Sequence, residues 1–369
     1  MEANEKSVLG PFWGLASNDN VKQLQSAKEL IVLLRNSQDE HELSSGSGLC
    51  DNLSYSVERL VRGLSSNRDG ARQGFTVCLT EVLSLFDCVS VNEVLQLVDK
   101  HLMITGSARA QEERGAYFGQ VCALLTIVRS GRIHGVSLDT ICALLKRLHI
   151  LANKKLYLRE VGMVGTVQLI REVGSRLSFD ENILPLYKQL IEGGWEKCTP
   201  DALYLLLTLL EIYSKNETLK KLVKSKWNHK WLLHPDNFEY LATVLKESTF
   251  AHPSVHSVWP VVLDAVRKKG HLTLFWKTVV DESVIVSSHE RKYLSFKLLE
   301  LLLPTLDVSE VVAVFTPNLL RCLRNNLSGA DNYLNKAAKH LVGCIATTIG
   351  GSTDKSIQVS FLLQLQAQG

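Results

Sequence analysis

The chain has 369 residues, 46% of them apolar and 21% charged, with eight prolines. That is ample material for a large buried core, and the balance excludes a chain that stays disordered for want of apolar side chains. A formal net charge of +3 excludes a whole-molecule electrostatic pull on nucleic acid and leaves only local patches.

The opening residues, MEANEKSVLG, lack the basic segment and long apolar core of a secretory signal. The leucine-rich run 203–210 is far too short to span a bilayer, and Glu211 follows it. The eight cysteines are Cys50, Cys78, Cys88, Cys122, Cys142, Cys198, Cys322 and Cys344. None forms a CxxC pair and most sit in apolar helical patterns. This predicts small buried thiols in a reducing compartment, with neither disulfides nor zinc. The expectation is a soluble intracellular protein.

The apolar periodicity is helical along nearly the whole chain. In 21–34, Val21, Leu24, Ala27, Leu30, Ile31 and Leu34 recur three or four apart and define one face. The same spacing predicts helices over 53–64, 71–86, 91–102, 109–128, 138–151, 156–173, 201–213, 255–266, 291–303 and 333–349. Ser45-Gly46-Ser47-Gly48 reads as a loop, and Ser65-Ser66-Asn67 as the end of one helix and the cap of the next. Ser137 precedes a helix with Asp139 in its first turn. Thr199-Pro200 and Thr316-Pro317 place proline at a first helical position, the latter opening 318–326. No convincing alternating run marks a strand. Helices of this length on short polar turns predict an all-α fold, an irregular HEAT- or armadillo-like α-solenoid forming one continuous body over 1–369. No fixed repeat period is evident, and a compact all-α globule is the alternative.

Motifs for chemistry are sparse. There is no GxxxxGK[ST], GxGxxG or GxSxG. A polymerase needs carboxylates converging on paired metal ions, yet no Asp-x-Asp occurs and the acids are scattered over helical faces. His252 and His256 have the i, i+4 spacing of a helical zinc pair, but the segment reads HPSVH and offers no third ligand. A structural role fits it better. Three LxxLL patterns, at 30–34, 203–207 and 298–302, read either as docking helices or as ordinary buried helix faces, and the core reading is preferred. No catalytic, cofactor or metal-binding set emerges. One local candidate remains, the segment 215–231, KNETLKKLVKSKWNHKW. Its Lys220, Lys221, Lys224, Lys226 and Lys230 interleave with Trp227 and Trp231. Lysines neutralise phosphates and aromatic faces stack bases, so this is a candidate contact for nucleic acid or a partner. The competing reading is an amphipathic helix with a solvated lysine face and inward tryptophans, to which Leu219, Leu222 and Val223 point.

Several blocks carry a resemblance. They are HPSVHSVWPVVLDAV (252–266), LFWKTVVDESV (274–284), SSHERKYLSFKLLE (287–300) and VFTPNLLRCLRNNL (314–327). Shorter matches are FWGLA (12–16), LVRGL (60–64) with Arg68, Ala71, Arg72, Gly74 and Phe75, and GAYFGQ (115–120) leading into RSGR (129–132). In order and spacing the chain resembles the Myb-binding protein 1A group, also called the DNA polymerase phi or yeast DNA polymerase V group, over about 9–349. The resemblance implies a large irregular α-helical repeat protein of the nucleus and nucleolus. It implies action in ribosomal-RNA gene transcription and ribosome biogenesis through nuclear protein partners, Myb-like transcription factors among them, with no membrane and no cofactor. It leaves ribosomal DNA or pre-rRNA as direct ligands in an alternative reading, and a polymerase as a third and weaker one. Members of the group carry a basic C-terminal tail. This sequence stops at Gln368-Gly369 after the apolar run 359–365, which suggests a fragment of a longer protein.

Overall fold

The computed structural model describes residues 8–45, 47–104, 106, 109–249, 255–329 and 333–366. They are helical throughout, with no strand among the described residues. The chain divides into two compact units, Met1–Leu186 and Tyr187–Gly369.

The first unit holds α1 (Gly10–Leu15), α2 (Asn20–Ser45), α3 (Asp51–Gly63), α4 (Asp69–Leu85), α5 (Val91–Leu102), α6 (Ala110–Arg129), α7 (Leu138–Lys154) and α8 (Arg159–Val173). The predicted apolar face of α3 is buried at Leu53, Val57, Leu60 and Val61. The face predicted over 21–34 needs correction: Ala27, Leu30 and Leu34 of α2 are buried, but Val21 and Leu24 are exposed, because Gln23 takes the inward place and donates to the Ser17 and Gly70 carbonyls. Ser90 and Glu93 close a capping box on α5, and the Ser137 hydroxyl accepts the Thr140 amide at 3.2 Å to start α7. Helices pack against the next in sequence and the next but one, as α3 does on α4 and α5, and α6 on α7 and α8. Two of these meetings are backbone to backbone. A Cβ on Gly74 would lie 2.0 Å from the Leu15 carbonyl oxygen, and one on Gly115 would lie 2.4 Å from that of Ser65. Only glycine permits such an approach.

The division falls within α9 (Leu184–Glu192), which continues a π-helical turn at Phe179–Ile183. The second unit then holds α10 (Pro200–Ile212), α11 (Glu217–Lys226), α12 (Phe238–Lys246), α13 (Val258–Lys268), α14 (Leu272–Phe275), α15 (His289–Leu302), α16 (Val308–Val314), α17 (Pro317–Leu327), α18 (Asn335–Gly351) and α19 (Lys355–Gln366). Thr199 caps α10 and Thr316 caps α17, each with proline next, as the sequence predicts.

Several local expectations need correction. Ser65-Ser66-Asn67 does not cap α4: Arg68 occupies that position without a side-chain bond, and the Ser66 hydroxyl accepts the Arg68 amide instead. The helix expected over 156–173 opens with a separate 3-10 turn at Leu156–Leu158, because Lys155 is extended. A π-helical segment, Trp276–Val284, continues α14, which no 3.6-residue periodicity would announce. All eight cysteines are free thiols. Cys50 and Cys78 are buried as expected, five are half-buried, and Cys88 is exposed. Burial pushes the Cys78 and Cys198 thiols up to about 12, which keeps them unreactive. Two leucines of each LxxLL pattern, Leu30 and Leu34, Leu203 and Leu206, Leu298 and Leu302, are buried, which favours the core reading; Leu33 and Leu207 are half-buried and Leu301 is exposed. No helix of the described residues is long and apolar enough to cross a membrane.

Candidate partner and nucleic-acid surface

The lysine-rich segment folds as α11 and the turn that follows it. Asn216 caps the helix, its side-chain oxygen accepting the Leu219 amide at 2.8 Å. Leu219 and Val223 face inward, so the lysines fall on the outer face. Lys220, Lys221, Lys224, Lys226 and Lys230 are all exposed. Lys220 Nζ lies 2.8 Å from Glu217 Oε1, and this hydrogen bond holds the Glu217 carboxyl below its ordinary range.

The tryptophans part company with the lysines. Trp227 has no exposed surface: its indole N–H donates to the Ile191 carbonyl at 2.8 Å, and its ring meets Trp195 edge-on with centroids 5.0 Å apart. The Trp195 indole in turn donates to the Trp227 carbonyl at 3.3 Å. Gly194 makes room for this knot: at φ +63°, a Cβ there would sit 2.8 Å from the Lys226 carbonyl oxygen. Trp227 thus packs inward, as the amphipathic reading of the segment has it, and its candidacy as a contact is corrected, since its ring is wholly enclosed by protein. Trp231 is half-buried, 5.5 Å from the His271 ring and edge-on to His234. What remains on the surface is a row of exposed lysines, with Trp227 withdrawn into the core.

The blocks that carry the resemblance build helix-to-helix ties. Buried His256 faces Asp201 of α10, Nε2 to Oδ1 3.1 Å, while its Nδ1 accepts the Val258 amide at 3.0 Å. Both ring nitrogens are thus engaged in structure; His252 lies outside the described residues. The Trp259 indole donates to the Ser248 hydroxyl at 2.9 Å. Asp281, in the π-helical segment, accepts the Thr316 hydroxyl and, at 3.0 Å, the Asn318 amide. It thereby locks the start of α17 onto the preceding block. Arg291 of α15 reaches back to the Lys246 carbonyl and to Glu247.

One arrangement escaped the sequence. Glu300 on α15 and His340 and Cys344 on α18 bring three potential metal-donor atoms within 4.8 Å of one another. The i, i+4 pair in HLVGC (340–344) was the available signal, but its partner Glu300 is forty positions away and only the packing of α15 on α18 unites them.

The chain matches the model of a family described as DNA polymerase phi over residues 55–369. It is 30% identical over 354 residues to the rDNA transcriptional regulator pol5 of Schizosaccharomyces pombe, covering 91% of this chain and 35% of that protein. It is 26% identical over 408 residues to the rDNA transcriptional regulator POL5 of Saccharomyces cerevisiae, covering 89% and 38%. With Myb-binding protein 1A of Mus musculus the identity is 24% over 328 residues, covering 88% and 23%. The chain thus spans between 23% and 38% of the length of these relatives. With 315 of its 369 residues inside the matched span, 55 through 369, the chain belongs to the DNA polymerase phi family.

Proposed function

We propose that the chain is a non-enzymatic scaffold of the nucleus and nucleolus that acts on transcription of ribosomal-RNA genes and on ribosome biogenesis by holding protein partners, Myb-like transcription factors among them. The observation that carries this reading is family membership together with the relatives' names, which are those of rDNA transcriptional regulators and Myb-binding proteins. "Polymerase" appears in the family's description alone. The metal-donor group formed by described residues contains a single carboxylate, whereas two-metal nucleotidyl transfer uses carboxylates shared between ions. We read each unit as a stretch of irregular HEAT- or armadillo-like α-solenoid. Packing between helices one to three places apart in sequence, as α3 on α4 and α5, α6 on α8, and α15 on α18, supports this, since in a stack each repeat touches only adjacent repeats. Partners are then held by surface complementarity, with no covalent step.

Depleting the protein from its own cells and pulse-labelling nascent RNA tests the reading. Pre-rRNA synthesis is expected to fall, and the purified chain is expected to add no nucleotides to a primed template in the presence of magnesium. Template-directed incorporation, or unchanged pre-rRNA labelling after depletion, would overturn it.

A second reading, direct binding of ribosomal DNA or pre-rRNA, is favoured by the exposed lysine row of α11. Replacing Lys220, Lys221, Lys224 and Lys226 together by alanine is expected to weaken binding. It should also flatten the dependence of log affinity on log salt by about 0.9 for each duplex phosphate that the variant no longer neutralises. Equal affinity and equal slope in that variant would remove the lysine row from consideration.

A further inference from the structure

We propose that Glu300, His340 and Cys344 form a binding site for a borderline-soft divalent cation, zinc in the first instance. One turn of α18 separates His340 from Cys344 and puts both on the same helix face. Packing of α15 against α18 brings Glu300 to that face. His340 Nε2 lies 3.8 Å from Glu300 Oε2 and 3.6 Å from Cys344 Sγ. Zinc–ligand bonds of about 2.0–2.3 Å at tetrahedral angles set donor atoms roughly 3.4–3.6 Å apart. Both distances from His340 are close to that spacing, and the donor atoms of Glu300 and Cys344 lie within 4.8 Å of each other.

The donor chemistry selects the cation. One sulfur, one imidazole nitrogen and one carboxylate oxygen suit zinc, whereas magnesium and calcium take oxygen alone. A thiolate and a carboxylate together supply the two negative charges that a divalent ion needs. Lys297 Nζ hydrogen-bonds the same carboxylate. Metal-bound carboxylates are commonly held by such an outer hydrogen bond, which fixes their orientation. Glu300 is only 13% exposed, so its position is set by packing before any ion arrives. Glu300 and His340 also line a cleft of ≈ 570 Å³ with Tyr293, Tyr333 and Lys336. Three protein donors beside an open cleft leave a fourth position for water or for a donor from a bound partner.

The test is titration of the purified, reduced, metal-free chain with cobalt(II) alone, followed by zinc(II). One equivalent of cobalt is expected to give the visible bands of a tetrahedral site and a sulfur-to-cobalt charge-transfer band, both removed by zinc and not by excess magnesium. Cys344→Ser should abolish the charge-transfer band. His340→Ala, at a side chain 64% exposed, should fold normally and bind zinc at least about 10-fold more weakly. Cys88→Ser, at the exposed cysteine, should behave as the parent chain does. Absence of a one-equivalent site, a charge-transfer band that survives Cys344→Ser, or unchanged affinity in His340→Ala would each overturn the proposal.

Discussion

In residues 1–186 two close helix contacts are made at glycines, Gly74 and Gly115, while in 187–369 tryptophans and buried polar pairs tie the helices. In the latter, Gly194 makes the one comparable approach among the described glycines. Gly74 and Gly115 bring helix backbones against the carbonyls of Leu15 and Ser65. The first unit's single tryptophan, Trp13, is 80% exposed. The other five tryptophans lie beyond residue 186, and Trp227, Trp259 and Trp276 are fully buried. There the glycines of α18, Gly343, Gly350 and Gly351, have open space where a Cβ would be. A contact made by backbone fixes spacing by what is absent and fails when atoms are added. A contact made by an indole or a buried carboxylate fails when atoms are removed.

Deletion in the second unit should give the largest effect. Trp259→Ala leaves a cavity and removes the donor to the Ser248 hydroxyl, which keeps only its own bond to the Leu245 carbonyl, for a loss of about 3–5 kcal/mol, read as lowered hydrogen-exchange protection in α12 and α13. Asp281→Ala removes the acceptor of the Thr316 hydroxyl and the Asn318 amide, and should cost about 1.5–3 kcal/mol, seen first as fraying of α17. Asp281→Asn keeps one acceptor oxygen and should cost less.

Addition is the matching test of the first unit. An alanine in a helix interior normally gains up to about 1 kcal/mol over glycine. Gly74→Ala should reverse that sign, because its Cβ would meet a backbone oxygen that cannot swing aside, with a net loss of about 1–3 kcal/mol in denaturant unfolding. Gly343→Ala in α18 should keep the ordinary sign and stabilise by up to about 1 kcal/mol. If both alanines stabilise, the contrast between the units does not rest on backbone contact.

The helices were legible because their apolar faces are written at helical spacing: α5 occupies 91–102 as predicted, and the Ser137, Thr199 and Thr316 caps act where they are read. The π-helical segment at 276–284 was not, since an apolar pattern read at 3.6 residues per turn does not announce a wider turn. At 215–231 the sequence placed the lysines correctly on the outer face. The fate of Trp227 depended on Ile191 and Trp195, which no local pattern brings beside it. The Glu300, His340 and Cys344 cluster was hidden for the same reason, as half of it is a helix spacing and half is tertiary packing.

The smallest expected effect is a pH dependence seated in the first unit. His149 of α7 is half-buried, and burial pushes its imidazole below the ordinary value near 6.5 because the charged form loses water. Between that lowered value and about 6.5 the unfolded chain binds more protons than the folded one. Stability in this window therefore rises with pH: the contribution is complete above about 6.5 and is lost as pH falls through it. Denaturant midpoints across the window should fall toward acid for the parent chain, and less steeply for His149→Gln, which stays neutral throughout. The two curves should converge above neutrality up to a constant offset from the altered packing. Parallel curves at every pH would show that the acid sensitivity originates in other groups, and that α7 tolerates a charged ring at its half-buried position.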